Sequence, residues 1–164
     1  MSAAHCYRLT KYDPANRDAD GRYLRDEWTF FAQVGEAVDG RELTLAEYER
    51  VEGDMIDGVL ALLDDSGIDS LQVADLESGI DGTHAPFVDG AMLATSALAP
   101  VLRDALREKY WCRLRGIGAY VHFGHDYYVY IGLPREPGDA TRGRIAATGL
   151  FLEACKSPYV VVAA

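Results

Sequence analysis

His122-Phe123-Gly124-His125-Asp126 gathers two imidazoles and a carboxylate into one short stretch. Such groups ligate zinc or exchange protons near neutral pH. Local convergence of three ligands is not visible, because alternation puts His122 on a strand face and His125 at a turn tip. His5 and His84 join them only through tertiary contact. The wider segment "WCRLRGIGAYVHFGHDYYVYIGL" reads as three strands with two tight turns, and register follows from keeping apolar residues together. A three-residue turn at Gly124-His125-Asp126 sets Phe123 opposite Tyr127, His122 opposite Tyr128 and Val121 opposite Val129. One face then carries Val121, Phe123, Tyr127, Val129 and Ile131. A two-residue turn at Ile117-Gly118 adds Cys112 and Leu114 to that core face. The other face gathers Arg113, Arg115, Tyr120, His122, Tyr128 and Tyr130. Guanidinium over phenol is attractive by about 0.5–1 kcal/mol at exposed sites, and Tyr and Arg dominate binding hot spots. This face suits an anion, a carboxylate-rich partner or a planar ligand. The same residue types also stabilise sheets with no ligand at all. For acid–base chemistry the candidates are His122 with Tyr128 and Tyr130.

A second constellation lies near the N-terminus. Asn16, Asp18, Asp20 and Glu27, with Gly21 at the sixth place, follow the calcium-loop spacing. Asn16 stands where aspartate is usual, Leu24 is apolar where a water-bridging ligand belongs, and Pro14 denies the loop a full entering helix. A turn built on "DADG" accounts for the same residues without metal and is the default reading. No cofactor is expected. Nucleophilic catalysis has no G-x-S-x-G and no Cys–His signature behind it. Cys112 and His122 occupy neighbouring strands but opposite faces. Gly116-Ile117-Gly118 joins two strands, so it is not a dinucleotide loop.

The elements that position these groups are legible from spacing. "HCYRLTKYD" alternates and closes at Asp13-Pro14, a first strand. Thr44 three residues before Glu47 is a capping box opening a helix to about Asp65. Tyr48, Val51, Met55, Val59 and Leu62 form its buried stripe, while Glu47, Arg50, Asp54, Asp57 and Asp65 fall on another face. Gly67 ends it, and "SLQVADLE" is a second strand. Ser78–Asp89 is a loop rich in turn formers. A second helix is predicted over Leu98–Tyr110, with Leu98, Val101, Leu102, Ala105 and Leu106 inward and Pro100 in its first turn. Strand, helix, strand and helix followed by a run of strands predicts an α+β fold: a mostly antiparallel sheet with a C-terminal meander of three to four strands, and two main helices on one face.

Composition bounds the function class. The 164 residues are 49% hydrophobic and 26% charged, with no repeat or linker, so a single globular domain over 1–164 is expected. Apolar runs such as Tyr159–Ala164 are too short to span a bilayer, and the N-terminal residues show no signal-peptide pattern. Cys6, Cys112 and Cys155 are odd in number and widely spaced, which argues against a disulfide scaffold and for a reducing cytoplasm. Net charge is −10, and residues 36–90 hold 15 acids against Arg41 and Arg50 alone. An acidic middle and mildly basic remainder form a dipole. It confers solubility, and it would steer a basic partner; a phosphate backbone would be repelled, so nucleic acid is not expected.

The words "YRLTKYDP", "DGRYLRDEW" and "YVHFGHDYYVYIG" resemble small, mostly uncharacterised bacterial proteins, some of which accompany polymorphic toxins as immunity partners. The resemblance implies a cytoplasmic inhibitor that blocks a basic toxin or enzyme by surface binding. In that reading Glu47, Asp54 and Asp57 steer the encounter, and Arg113, Arg115, Tyr120, His122, Tyr128 and Tyr130 serve as anchors. The alternative is a small enzyme or small-molecule-binding protein over the same sheet face, with His122 as general acid or base. An open face favours a protein partner; a half-covered face with a concave pocket favours a small ligand.

Overall fold

A computed structural model describes residues 2–79 and 81–160; the last four residues of the closing apolar run lie outside them. The chain forms β1 (His5–Thr10), β2 (Ala37–Val38), β3 (Arg41–Glu42), α1 (Leu45–Asp65), β4 (Ser70–Ser78), β5 (Met92–Ala94), α2 (Ala99–Leu106), β6 (Tyr110–Gly116), β7 (Ala119–Phe123), β8 (Val129–Leu133), α3 (Asp139–Ala147) and β9 (Phe151–Ala154). Seven strands make one sheet in the order β5-β4-β6-β7-β8-β1-β9, every described pairing antiparallel, and β2–β3 form a separate ribbon. This is the α+β class. The first strand sits beside the meander, with the last strand outside it. Among the described residues no helix is long and apolar enough to cross a membrane.

Helix α1 begins as its cap dictates: Thr44 Oγ1 accepts from the Glu47 N–H at 3.1 Å. All five stripe residues are buried, and Gly67 closes the helix at φ +67°. Gly58 packs against Leu9 of β1 and Ile145 of α3; a Cβ there would lie 3.1 Å from Leu9 Cδ2. Helix α2 stops at Leu106, short of the predicted Tyr110. Glu108 turns left-handed at φ 58°, and the Lys109 N–H bonds back to the Asp104 carbonyl at 3.0 Å, which frees Tyr110 to start β6. Helix α3 carries no predicted counterpart, because only Thr141 and Ile145 turn inward and no apolar stripe announces it.

The first hairpin of the meander has the predicted two-residue turn, with Arg113 opposite His122 and Arg115 opposite Tyr120. The second departs from prediction by two residues. Phe123 pairs with Val129 and His122 with Tyr130, so Gly124–Tyr128 form the connection. Asp126 and Tyr127 are both left-handed there, at φ 58° and 65°. The Tyr12 hydroxyl holds the Asp126 carbonyl at 2.8 Å, and the Tyr127 ring is buried edge-on against Trp28 and Tyr48. Burying Tyr127 selects the wider turn. A shift of two preserves side-chain parity, so the predicted faces survive the wrong register except at Tyr127 and Tyr128, which pass from the strand into the turn.

Candidate functional site

The face of the sheet away from the helices carries Cys6 and Arg8 of β1, Arg113 and Arg115 of β6, Tyr120 and His122 of β7, and Tyr130 of β8. It is not an open platform. The segment Lys156–Val160 leaves β9 and closes over it, leaving His122 3% and Tyr120 7% exposed. Ser157 is the clasp. Its Oγ lies 2.8 Å from His122 Nδ1 and accepts from the Tyr159 N–H at 3.2 Å, while its own N–H donates to the Tyr120 hydroxyl at 3.4 Å. His122 stacks on Tyr120 at 4.4 Å between ring centroids. The Tyr159 ring packs edge-on against Trp111, His122 and Tyr130, with the Arg113 guanidinium 5.4 Å from its centroid. The glycines opposite are part of the construction: a Cβ on Gly132 would stand 2.2 Å from the Tyr120 ring, and one on Gly124 would stand 2.6 Å from the Tyr130 ring.

Burial first, then the Arg113 and Arg115 cations, push the His122 pKa down to about 4. The ring is therefore neutral at physiological pH. Both arginines share one carboxylate, Asp75, at 3.2 Å and 2.7 Å. Asp75 sits in a β-bulge of β4 at φ 53°, an irregularity that aims its side chain across the strand. Tyr128 stands apart from His122, in the turn, beneath the Arg8 guanidinium at 4.4 Å and beside Tyr12. The structure thus brings Arg113, Arg115, Tyr120, His122 and Tyr130 together and sends Tyr128 to a neighbouring cluster.

Beside the clasp the face remains concave. A cavity of about 500 Å³ is bordered by Ala3, Cys6, Tyr120, His122, Ser157 and Tyr159. A second recess of about 480 Å³ lies under the N-terminal turn, among Arg8, Arg17, Tyr12, Tyr23 and Tyr128. There Glu153 accepts from Arg8 and Arg17 at 2.8 Å and 3.2 Å.

The calcium-spaced residues form that turn. Asp18 Oδ1 accepts from the N–H groups of Asp20 and Arg22, both at 2.9 Å, and Asn16 ends a short 3₁₀ turn. Glu27 faces Lys11 at 3.9 Å instead. Lys11 lies 4.2 Å from the centroids of both Tyr12 and Trp28, and desolvation lowers its pKa to about 8. Among the described residues no group of three His, Cys, Asp or Glu side chains is placed to hold a metal ion.

The acidic helix is more neutralised than its sequence suggests. Arg50 pairs with Glu47 at 3.0 Å and Asp54 at 3.4 Å, and Asp65 accepts from the Gly138 N–H at the start of α3. Arg107 of the basic half folds back on Glu52 and Glu49, so Asp57 and Asp64 are the carboxylates of α1 left exposed without an ion pair. Sequence reasoning missed Ser157, Tyr159, Asp75 and Glu52. Ser157-Pro158-Tyr159 carries a turn signal that marks a chain reversal; nothing local marks what it reverses onto.

Comparison with protein-family models, curated protein sequences and solved structures finds no match for this chain. What defines it is its geometry: an α+β protein whose aromatic–arginine sheet face is clasped by its own C-terminal segment.

Proposed function

We propose that the chain is a non-enzymatic binding protein of the immunity-inhibitor type, which neutralises a basic toxin or enzyme by surface contact. The observation that carries this reading is the exposed acidic side of α1 on a chain of net charge −10. The state of His122 argues only against acid–base catalysis. A histidine held neutral with a pKa of about 4, stacked on Tyr120 and bonded to Ser157, is committed to packing. A general acid or base at neutral pH needs a pKa near 7 and access to its substrate. Partner chemistry is supplied by the net charge of −10, with Asp57 and Asp64 on the exposed side of α1. Long-range attraction raises association rates for a basic partner and weakens with salt.

The test is capture from source lysate followed by kinetics. A stoichiometric basic protein whose activity is inhibited on binding is expected. Asp57→Lys/Asp64→Lys should slow its association about tenfold at low salt, with Tm unchanged. A captured partner whose association ignores both the reversal and ionic strength sinks the steering claim.

A second reading is favoured by one observation, the concave cavity beside Tyr120 and His122. Its volume of about 500 Å³ suits a small ligand, and the partly covered face gives such a ligand walls on more than one side. Native mass spectrometry of freshly purified protein distinguishes it: a bound small molecule lost in Tyr120→Ala supports the cavity.

A further inference from the structure

Cys6 and Cys155 lie at opposite ends of the chain, and the sheet brings them face to face. In the β1–β9 pairing Tyr7 is opposite Ala154 and Arg8 is opposite Glu153. The register ends there, and one residue beyond it the Cys155 N–H donates to the Cys6 carbonyl at 3.0 Å, one of the two bonds of a hydrogen-bonded pair, which sets Cys6 opposite Cys155. Alternation places both sulfurs on the side of Arg8, away from the helices. Two further observations agree. Cys6 borders the cavity beside Tyr120, and Cys6 and Cys155 both help raise the Tyr120 phenol pKa after burial, so both lie close to that ring. Each is a free thiol and partly exposed, whereas Cys112 is wholly buried in the core, its pKa pushed up to about 12 by burial.

Directly opposed antiparallel residues in a hydrogen-bonded pair have Cα atoms about 5.5 Å apart, inside the roughly 4.4–6.8 Å range of disulfides. Their Cβ atoms, about 4.5–5.5 Å apart, must close to about 3.5–4.5 Å. Both sulfurs are partly exposed, so small disulfides and thiols reach them in either direction, the access a reversible disulfide needs.

We propose that Cys6 and Cys155 form a reversible redox pair, oxidised by low-molecular-weight disulfides to a cross-strand bond that staples the C-terminal clasp to β1. One cysteine thiolate attacks a sulfur of the small disulfide and expels one thiolate. The second cysteine then attacks the protein sulfur of that mixed disulfide and expels the other. Two protein thiols and one small disulfide become one protein disulfide and two small thiols, a balanced two-electron exchange. The bond sits immediately before Lys156–Val160, so it limits opening of the segment that covers His122 and Tyr120. It also closes a loop of nearly the whole chain, where cross-linking constrains the unfolded state most. The proposal does not depend on what the protein binds.

Reduced wild-type protein is incubated with oxidised glutathione, and the intact mass and a non-reducing peptide map are read. Expected are loss of two hydrogen atoms, a peptide linking Cys6 to Cys155, reversal by dithiothreitol, and a Tm higher by about 5–10 °C in the oxidised form. Cys155→Ser should instead keep a glutathione adduct on Cys6 and gain no Tm. A persistent adduct on wild type, no reaction at Cys6 or Cys155, or a link through Cys112 overturns the proposal. The peptide map is made on the unaltered chain, so it stands even where a variant folds poorly.

Discussion

At the scale of single residues, His122 shows how burial redirects a group with catalytic potential. Its folded pKa of about 4 lies below the ordinary value near 6.5. The unfolded chain therefore takes up the proton first as pH falls. The stabilising contribution is complete above about pH 6.5 and is lost as pH drops through 4. At ~1.4 kcal/mol per pH unit the loss reaches about 3 kcal/mol. His122→Asn keeps a polar group within reach of Ser157 and does not titrate. Urea unfolding at pH 7 and pH 4 should show wild type losing about 3 kcal/mol more than the variant; equal losses would place the imidazole in solvent.

Among the elements, α1 is held by its apolar stripe and is tied to its neighbours by one internal ion pair. Glu52 is 2% exposed and accepts both Arg107 contacts at 2.8 Å, with Arg103 at 3.4 Å. The Arg107 guanidinium also lies 4.8 Å from the Phe31 ring. This pair fastens α1 to the end of α2 and to the segment before β2. Removing one member of such a pair strands the other, at a cost of several kcal/mol. Glu52→Ala is expected to lower stability by about 3 kcal/mol in urea unfolding, while Asp54→Ala, which breaks only a surface pair, should change it by less than about 1 kcal/mol. The contrast separates the carboxylate that builds the helix packing from those that face solvent.

At the scale of the whole molecule, closure of the sheet face depends on the last described segment. Ser157, Tyr159 and Val160 come from one end of the chain, and Ala3 and Cys6 come from the other. They meet because β1 lies between β8 and β9. Truncation after Lys156 removes the clasp and wets the His122 ring. Its pKa, followed by NMR titration of the ring protons, should rise from about 4 towards the ordinary value near 6.5. An unchanged value would assign the low pKa to Arg113 and Arg115 rather than to burial. The same fold redistributes charge, since Arg103, Arg107, Arg113 and Arg115 all fold back onto carboxylates of the acidic middle. The linear dipole of the sequence is therefore blunted, though the net charge is not.

The α+β class, the α1 stripe, the start of α2 and the two faces of the meander were legible in the sequence, because each is written in local spacing and in parity that a two-residue slip leaves intact. Helix α3 was not, since Thr141 and Ile145 alone make no stripe. The width of the second turn was decided by Tyr127 finding Trp28 and Tyr48, partners distant in the chain. Of the site, Arg113, Arg115, Tyr120, His122 and Tyr130 could be assigned to one face from alternation. Whether that face was open or closed could not, because the Ser157 clasp joins positions 35 residues apart. The meeting of Cys6 and Cys155 belongs to the same category. Spacing of cysteines along a chain reports nothing about strands that become neighbours only when the sheet is assembled, and tertiary pairing alone turned two widely separated thiols into a cross-strand pair.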